Sequence, residues 1–475
     1  MKKILSYAAV SLLTLSLTAA PLGKTASAKE LDALKLHFNS TVVDSHNDTM
    51  MKVVDPDTWL PSTDIRENTP FHIDIPKLQS GGLNVPFFAA YTSGYYGNNP
   101  RSISRTLALI NALYWTEDRN SDVFNITTSY KEIEKTVKAG KIAAVPTVEG
   151  AYSLEEHNAI GLLHQYYDLG IRALGFTWNY SNSLGEGANR VYGDADRTAS
   201  QGGLTELGEK VAREMNKLGM IIDVSHLSEN TFWDVIKVSK APIMATHSGA
   251  YSLRNHQRNL TDDQLKALAR NGGVVGIVFY PDFLTYGYPD KLNYIKDYVD
   301  HIDHVVKTIG IDHVALGSDF DGGPLPADIQ DSSELYKVTQ ELVRRGYSSQ
   351  DIEKLLGKNT LRLLKEVQKA ASHPAEAKGT SLTITPSLKM GETVPGNTPL
   401  LTAKIDSGKG APLDEGSLKV FVDGIEHKPV FDAKTSSVSF QVKEQLKEKF
   451  HVVTFEGATK AGKVEKETRI FYINQ

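Results

Sequence analysis

The amino-acid sequence predicts a (β/α)8 TIM barrel followed by a small β-sandwich of immunoglobulin-like size. Three observations carry this reading. Eight short apolar runs alternate with segments of helical periodicity through the larger part of the chain. Several of these runs end on a histidine or a carboxylate. Beyond residue 380 the pattern changes to the strict alternation of half-buried strands. A parallel strand buried on both faces reads as a continuous hydrophobic run and delivers its last residues to one rim of the barrel, so polar residues placed there share a mouth.

The chain has 475 residues, more than the roughly 250 of a typical α/β barrel, so one large and one small domain are expected. Residues 1–28 read as a secretory leader. Lys2 and Lys3 precede an apolar stretch from Ile4 to about Ala20, and Ala26-Ser27-Ala28 supplies small residues for cleavage. The alternative is a retained membrane anchor. Ser6, Ser11, Thr14, Ser16 and Thr18 weigh against it, because they interrupt a stretch already short for a span of about 20 residues. The mature protein is therefore expected to begin at Lys29 and to be secreted, either extracellular or associated with the cell surface. Cysteine is absent, which excludes a disulfide framework, a thiol nucleophile and a lipid-modified cysteine. The net charge of -5 comes from interspersed charges, so no nucleic-acid partner is expected.

The barrel occupies residues 29–372. Its first run, Thr41-Val42-Val43, leads into Asp44-Ser45-His46-Asn47-Asp48. The second covers 82–91 and is followed by an amphipathic helix over 102–117. The third, 143–148, ends on Glu149. The fourth covers 170–177 after a helix around 161–169. The fifth, 220–224, ends near His226 and follows a helix over 205–218 capped by Thr205. The sixth, 242–245, ends near His247, the seventh covers 272–279, and the eighth, 313–318, runs into Asp319. A last helix over 349–371 completes the unit.

Residues 373–380 lack apolar periodicity and read as a linker. Residues 381–475 hold alternating runs at 417–422, 438–442, 451–455 and 468–473, with Asp423-Gly424 as a turn signal, and form the sandwich of about 95 residues. It shows no evident catalytic residue. Attachment, contact with a cell wall or surface, and spacing are its candidate roles, and a passive stabilising appendage is an equal alternative.

His46 and Asp48 are separated by one residue, so at a strand end both side chains emerge on one side and reach one ion. Glu149 offers two oxygens and suits a bridge between cations about 3.5–4 Å apart. His226 and His247 complete a second ion. Imidazole and carboxylate without thiolate fit zinc in an open catalytic site. Each residue has a bland reading as well. A lone histidine at a strand end is commonly just hydrogen-bonded, and acidic residues there often cap the next helix. Ser45, Ser225 and Ser248 read as local hydrogen-bonding groups, since no Gly-x-Ser-x-Gly surrounds them. Five ligands on successive strand ends outweigh these separate readings and point to a metal-dependent hydrolase.

The motifs Asp44-Ser45-His46-Asn47-Asp48, Glu149 at its strand end, Gly203-Leu204-Thr205, Asp223-Val224-Ser225-His226, Ala245-Thr246-His247-Ser248, Arg258-Asn259 and Gly317-Ser318-Asp319-Phe320-Asp321-Gly322 resemble those of the zinc-dependent membrane (renal) dipeptidases and their bacterial secreted relatives. The resemblance runs from about Leu31 to Ala371. It implies two zinc ions per chain, one held by His46 and Asp48, the other by His226 and His247, with Glu149 bridging. It also implies that Arg258 receives the substrate carboxylate, for which a guanidinium fork is well shaped. Asp319 would hold the free amine and shuttle a proton, so Asp319 and Glu149 are the expected catalytic carboxylates. The implied mechanism is attack by a bridging hydroxide on the carbonyl of a dipeptide, with a C-terminal D-residue as a candidate.

The sequence departs from the family pattern at one place. Many members carry a substrate-binding histidine after the fourth strand, where this chain has Phe176-Thr177-Trp178-Asn179-Tyr180; either Asn179, Trp178 or another group takes its place at the substrate, or the substrate range is shifted. Two other classes stay open: another binuclear barrel amidohydrolase acting on lactams, lactones or phosphoesters, and a non-catalytic secreted binding protein. A homodimer is common in the family, and no stretch of this sequence marks an interface.

Overall fold

The structure, a computed structural model, describes residues 28–97, 100–188, 201–372, 381–408 and 412–474. Among the described residues, nine strands precede the C-terminal module: β1 (Val42–Asn47), β2 (Leu83–Tyr91), β3 (Phe124–Ile126), β4 (Ile142–Glu149), β5 (Ala173–Gly175), β6 (Ile221–Asp223), β7 (Met244–Ser248), β8 (Val274–Ile277) and β9 (Val314–Leu316). Their order is β2-β1-β9-β8-β7-β6-β5-β4-β3, and a further β2–β4 pairing closes eight of them into a parallel barrel. These eight are the predicted runs. The ninth, β3, lies outside the ring, paired with the start of β4 through Phe124↔Ile142.

The barrel is filled, not hollow. Val43, Val85, Phe87, Val145, Ile221, Met244 and Val274 form one apolar cluster with Ile133, Leu361, Leu364 and Val367. Several of these open their strands, so the helix Asn359–Ala370 plugs the end of the barrel away from the ligand-bearing strand ends. Arg362 fixes the plug by donating to the carbonyl of Gly272, ahead of β8, at 3.2 Å. The single helix predicted over 349–371 is broken by a π turn at Lys354–Lys358. There Gly357 lies so close to the chain entering β1 that a Cβ would stand 2.2 Å from the Thr41 carbonyl oxygen. Close approach, not helical periodicity, decides the local geometry. Thr205 caps the helix Glu206–Leu218 as predicted, accepting from the Gly208 amide.

The leader expected over 1–28 lies outside the described residues except for Ala28, which opens the helix Ala28–Asn39. The linker expected over 373–380 also lies outside them. The module that follows has two sheets, β10-β12-β16-β15 and β11-β18-β17-β13-β14, antiparallel except where β11 runs parallel to β18. The strands are β10 (Thr383–Pro386), β11 (Glu392–Val394), β12 (Leu400–Asp406), β13 (Leu413–Val422), β14 (Ile425–His427), β15 (Val430–Asp432), β16 (Ser437–Gln441), β17 (Phe450–Thr459) and β18 (Val464–Ile473). Leu401, Ala403 and Val438 from one sheet pack with Val420, Val453 and Phe471 from the other.

The module rests on the flank of the barrel. Phe450, Val452 and Ile470 belong to the same apolar cluster as Leu107 and Leu163. Asp423-Gly424 makes the two-residue turn between β13 and β14, both residues at positive φ (48° and 85°), as such turns require. Its backbone reaches the helix Ala159–Asp168. The Gly424 amide donates to Gln165 Oε1 at 2.6 Å, and a Cβ on Gly161 would lie 2.0 Å from the Gly424 carbonyl oxygen.

Candidate metal centre

The five expected ligands converge at the C-terminal rim. His46 Nε2 lies 3.5 Å from Asp48 Oδ2 and 3.4 Å from Glu149 Oε2. The other Glu149 oxygen, Oε1, lies 2.8 Å from His226 Nε2 and 3.5 Å from His247 Nε2. One carboxylate thus faces two ligand sets, one oxygen each, which is the grouping read from the sequence. Asp319 joins the same cluster, forming a third group with His46 and His247. The donor atoms of each set lie within 4.8 Å of one another. His46 Nε2 and Asp48 Oδ1 are buried without a hydrogen-bond partner, although buried polar atoms are otherwise nearly always paired. Such orphaned donors, of imidazole and carboxylate type, fit divalent cations.

The electrostatics agree. Burial opposes the charge of Glu149, yet His46, His226 and His247 outweigh it and hold the carboxyl well below its ordinary range. Burial and then Glu149 push Asp48 up to about 6. Burial and then Asp48 push Asp319 well above the usual carboxylate range. His226 is lowered to about 3 by burial and by Arg258, and His247 falls well below its ordinary value through burial and His46. Both rings are neutral, with a lone pair to offer. Of the three site histidines His46 alone is raised, because Glu149 and Asp48 outweigh its burial.

The outer nitrogens set the tautomers. His247 Nδ1 donates to Thr246 Oγ1 at 2.9 Å, and that hydroxyl donates onward to Asp223 Oδ2 at 2.6 Å. His226 Nδ1 donates to Asn179 Oδ1 at 2.9 Å. Both bonds leave Nε2 facing the cluster. Sequence reasoning placed Asp223 and Thr246 in motifs without a role. The signal was there: a carboxylate three residues before His226 and a hydroxyl one residue before His247. Asn179 had been expected to meet the substrate, and the structure puts its oxygen behind a ligand histidine. Tyr152 holds the segment that carries it, accepting from the amides of Trp178 and Tyr180, each at 3.2 Å. The three serines are hydrogen-bonded but not locally: Ser45 donates to the Thr246 and Leu316 carbonyls of other strands, Ser248 donates to the Arg258 carbonyl, and Ser225 accepts from the His247 amide.

His226 and Asp319 adopt positive φ (62° and 63°), a conformation rare for non-glycine residues and concentrated at functional sites. Gly322 completes the rim. A Cβ there would lie 2.3 Å from both Asp48 Oδ2 and Asp319 Oδ1, and no sequence signal marked it beyond its motif.

Arg258 is buried at 4% exposure. Its Nη2 donates to the His247 carbonyl at 3.2 Å, and its Nε has no partner. Burial lowers its pKa to about 10 against the pull of Glu149, Asp319 and Asp223. It remains a cation at neutral pH, under-satisfied beside the metal ligands.

Residues 31–378 match the family described as membrane dipeptidase, peptidase family M19. The chain is 34% identical over 348 residues to an uncharacterized dipeptidase of Schizosaccharomyces pombe, covering 70% of this chain and 82% of that one. It is similar to the metallopeptidase from Rhodobacter sphaeroides liganded with a phosphinate mimic of the dipeptide L-Ala-D-Ala, at 28% identity and a TM-score of 0.61, over 69% of this chain and 99% of that one. The probable dipeptidase PvdM from Pseudomonas aeruginosa compares at 27% identity and a TM-score of 0.65, over 72% of this chain and 99% of that one. With the barrel, the paired ligand sets and these matches in agreement, the chain belongs to the membrane dipeptidase family, peptidase family M19, and is one of its metallopeptidases.

Proposed function

We propose that the protein is a secreted zinc dipeptidase that accepts a D-residue at the C-terminal position. The observation that carries this reading is Arg258, a buried guanidinium with an unpartnered Nε set beside the ligand cluster. A buried charge without a partner is costly, and a substrate carboxylate supplies that partner in the fork geometry guanidinium favours.

His46, Asp48 and one oxygen of Glu149 would hold one zinc, and His226, His247 and the other oxygen a second; bound there, the metal supplies Lewis acidity at the scissile carbonyl and acidifies water. Arg258 binds and orients the C-terminal carboxylate. Asp319, whose carboxyl is raised by burial and by Asp48, holds the free amine and carries a proton to the leaving nitrogen. The Trp178 indole, where a histidine was missed, lies with its ring centre 5.5 Å from Tyr91 and 6.0 Å from His226 and walls the site against water. A site that grips both termini selects dipeptides over longer peptides. Tolerance of a D-residue is supported by the L-Ala-D-Ala mimic in the Rhodobacter relative. Secretion is supported by the leader pattern of residues 1–28.

The test compares zinc-reconstituted protein on L-Ala-D-Ala, its N-acetyl form and its C-terminal amide. Cleavage of the free dipeptide with both blocked forms poor is expected. Faster turnover of a lactam, a lactone or a phosphoester would instead place the chain with the other binuclear barrel hydrolases. Purification from culture medium with Lys29 at the N-terminus would test secretion.

A further inference from the structure

We propose that the plugged end of the barrel, remote from the metal ligands, carries a binding site for the phosphoryl group of a small organic phosphate. The site is a cavity of about 490 Å3 between the helix Tyr130–Lys138, the plug helix Asn359–Ala370 and the turn that enters β5. Lys131, Arg172, Lys365 and Lys369 line it, and no carboxylate does.

Arg172 is the built part. It is only 8% exposed, yet it forms no ion pair with any described residue. Its Nε donates to the Thr128 carbonyl at 2.8 Å, and its Nη1 donates to the carbonyls of Tyr167 and Ile171 at 2.8 and 2.9 Å. The guanidinium stacks on the Tyr167 ring at 3.9 Å. These contacts fix its plane and engage Nε and Nη1, while among the described residues Nη2 has no hydrogen-bond partner. Glu132 and Asp168 act on it only through space, and Glu132 already accepts from the Thr128 amide and hydroxyl.

The three lysines are exposed and unpaired among the described residues; Lys365 Nζ lies 4.7 Å from the centre of the Tyr130 ring. Lys365 and Lys369 are one helical turn apart on the plug and so present their charges on one face. A buried cation is ordinarily paired. Here one lines a cavity together with three further cations and no carboxylate. A phosphoryl group matches this arrangement better than a single carboxylate, because its several anionic oxygens can accept from the guanidinium and from ammonium groups at once. The volume lies within the range of about 300–1,000 Å3 usual for small-molecule pockets and exceeds what inorganic phosphate needs. Tyr130 and Tyr167 offer flat walls to an organic remainder.

Calorimetric titration of metal-loaded protein with inorganic phosphate and with glycerol 3-phosphate tests this, alongside the variant Lys131→Gln/Lys365→Gln/Lys369→Gln. All three substitutions are at exposed positions and spare the dipeptidase site. Expected are saturable binding of glycerol 3-phosphate no weaker than that of phosphate, a loss of affinity of at least about tenfold in the variant, and unchanged hydrolysis of L-Ala-D-Ala. Arg172→Lys, checked for an intact melting transition, is expected to weaken binding as well. Absence of binding by the parent protein would overturn the proposal. So would binding undiminished in the triple variant, which would assign the anion to the metal centre.

Discussion

The side-chain oxygen of Asn179 lies 2.9 Å from Nδ1 of His226, and this bond decides which ring nitrogen of the histidine faces Glu149. His226 needs such a guide because its backbone sits at φ 62°, where few side chains rest unaided. The residue standing in for the missing family histidine is thus attached to a ligand from behind.

Replacing Asn179 with Ala is expected to lower zinc retention or turnover about 10- to 100-fold, the usual effect of removing an outer partner of a ligand histidine. Zinc content per chain after gel filtration and kcat on L-Ala-D-Ala would be measured together. If zinc is retained in full and KM alone rises, Asn179 meets the substrate after all.

Arg258→Lys keeps the charge and loses the fork. KM for a free dipeptide is expected to rise about ten- to a hundredfold, as for loss of a hydrogen bond to a charged group, while cleavage of the C-terminal amide stays at its low level. An equal loss on both substrates would show that Arg258 supports the metal ligands instead of binding carboxylate.

Gly322→Ala places a methyl group 2.3 Å from an oxygen of Asp48 and an oxygen of Asp319. One or both carboxylates must shift. A displacement of this order costs about a hundredfold in rate, with far-ultraviolet circular dichroism unchanged. Full activity would mean that the rim yields elsewhere.

Much of this centre was legible in the sequence, for a simple reason. A buried parallel strand must be apolar until it reaches the rim, so His46, Glu149, His226 and His247 stood out as metal-ligand side chains within a few residues of the ends of apolar runs. Thr246, Asp223 and Gly322 did not stand out, because their roles depend on neighbours from other strands: Thr246 serves His247 and is anchored by Asp223 of β6. The short β3 was missed because three residues carry no period, and the π turn because helical spacing is blind to how close Gly357 must come to β1. In the module, four runs and the Asp423-Gly424 turn were readable, while strands as short as β14 and β15 were not, and the seven-residue β12 was also passed over.

That turn also sets a pH dependence. His451, buried at the foot of β17, pairs with Asp423 Oδ2 at 2.6 Å and with the Glu448 carbonyl at 2.7 Å. Burial works to lower its pKa, but Asp423 and the carbonyl outweigh it and raise the value above the ordinary 6.5. A raised histidine pKa favours the folded state while the ring is charged. The contribution is fully present below about pH 6.5 and is lost as pH rises through the raised value. Thermal melting from pH 6 to 9 is expected to show a fall that His451→Asn abolishes. The same slope in the variant would assign the effect to another group.

Gly161→Ala tests the contact beneath the same turn. In an exposed helix, alanine is favoured over glycine by about 1 kcal/mol. Here the added Cβ would meet the Gly424 carbonyl oxygen at 2.0 Å, and overpacking of that kind costs about 1–3 kcal/mol. The sign is therefore reversed, and urea midpoints would read it.

Since Phe450, Val452 and Ile470 share an apolar cluster with barrel residues such as Leu107 and Leu163, the final fifth of the chain is held to the rest by more than the peptide that joins them. A protease cut between Ser372 and Ser381 would sever the chain without parting the molecule: the two fragments would travel together through a sizing column and separate only in denaturant. Deleting the module would strip the barrel's flank of its cover and leave an oily scar, so a truncated enzyme is expected to precipitate before its catalytic residues can be assayed.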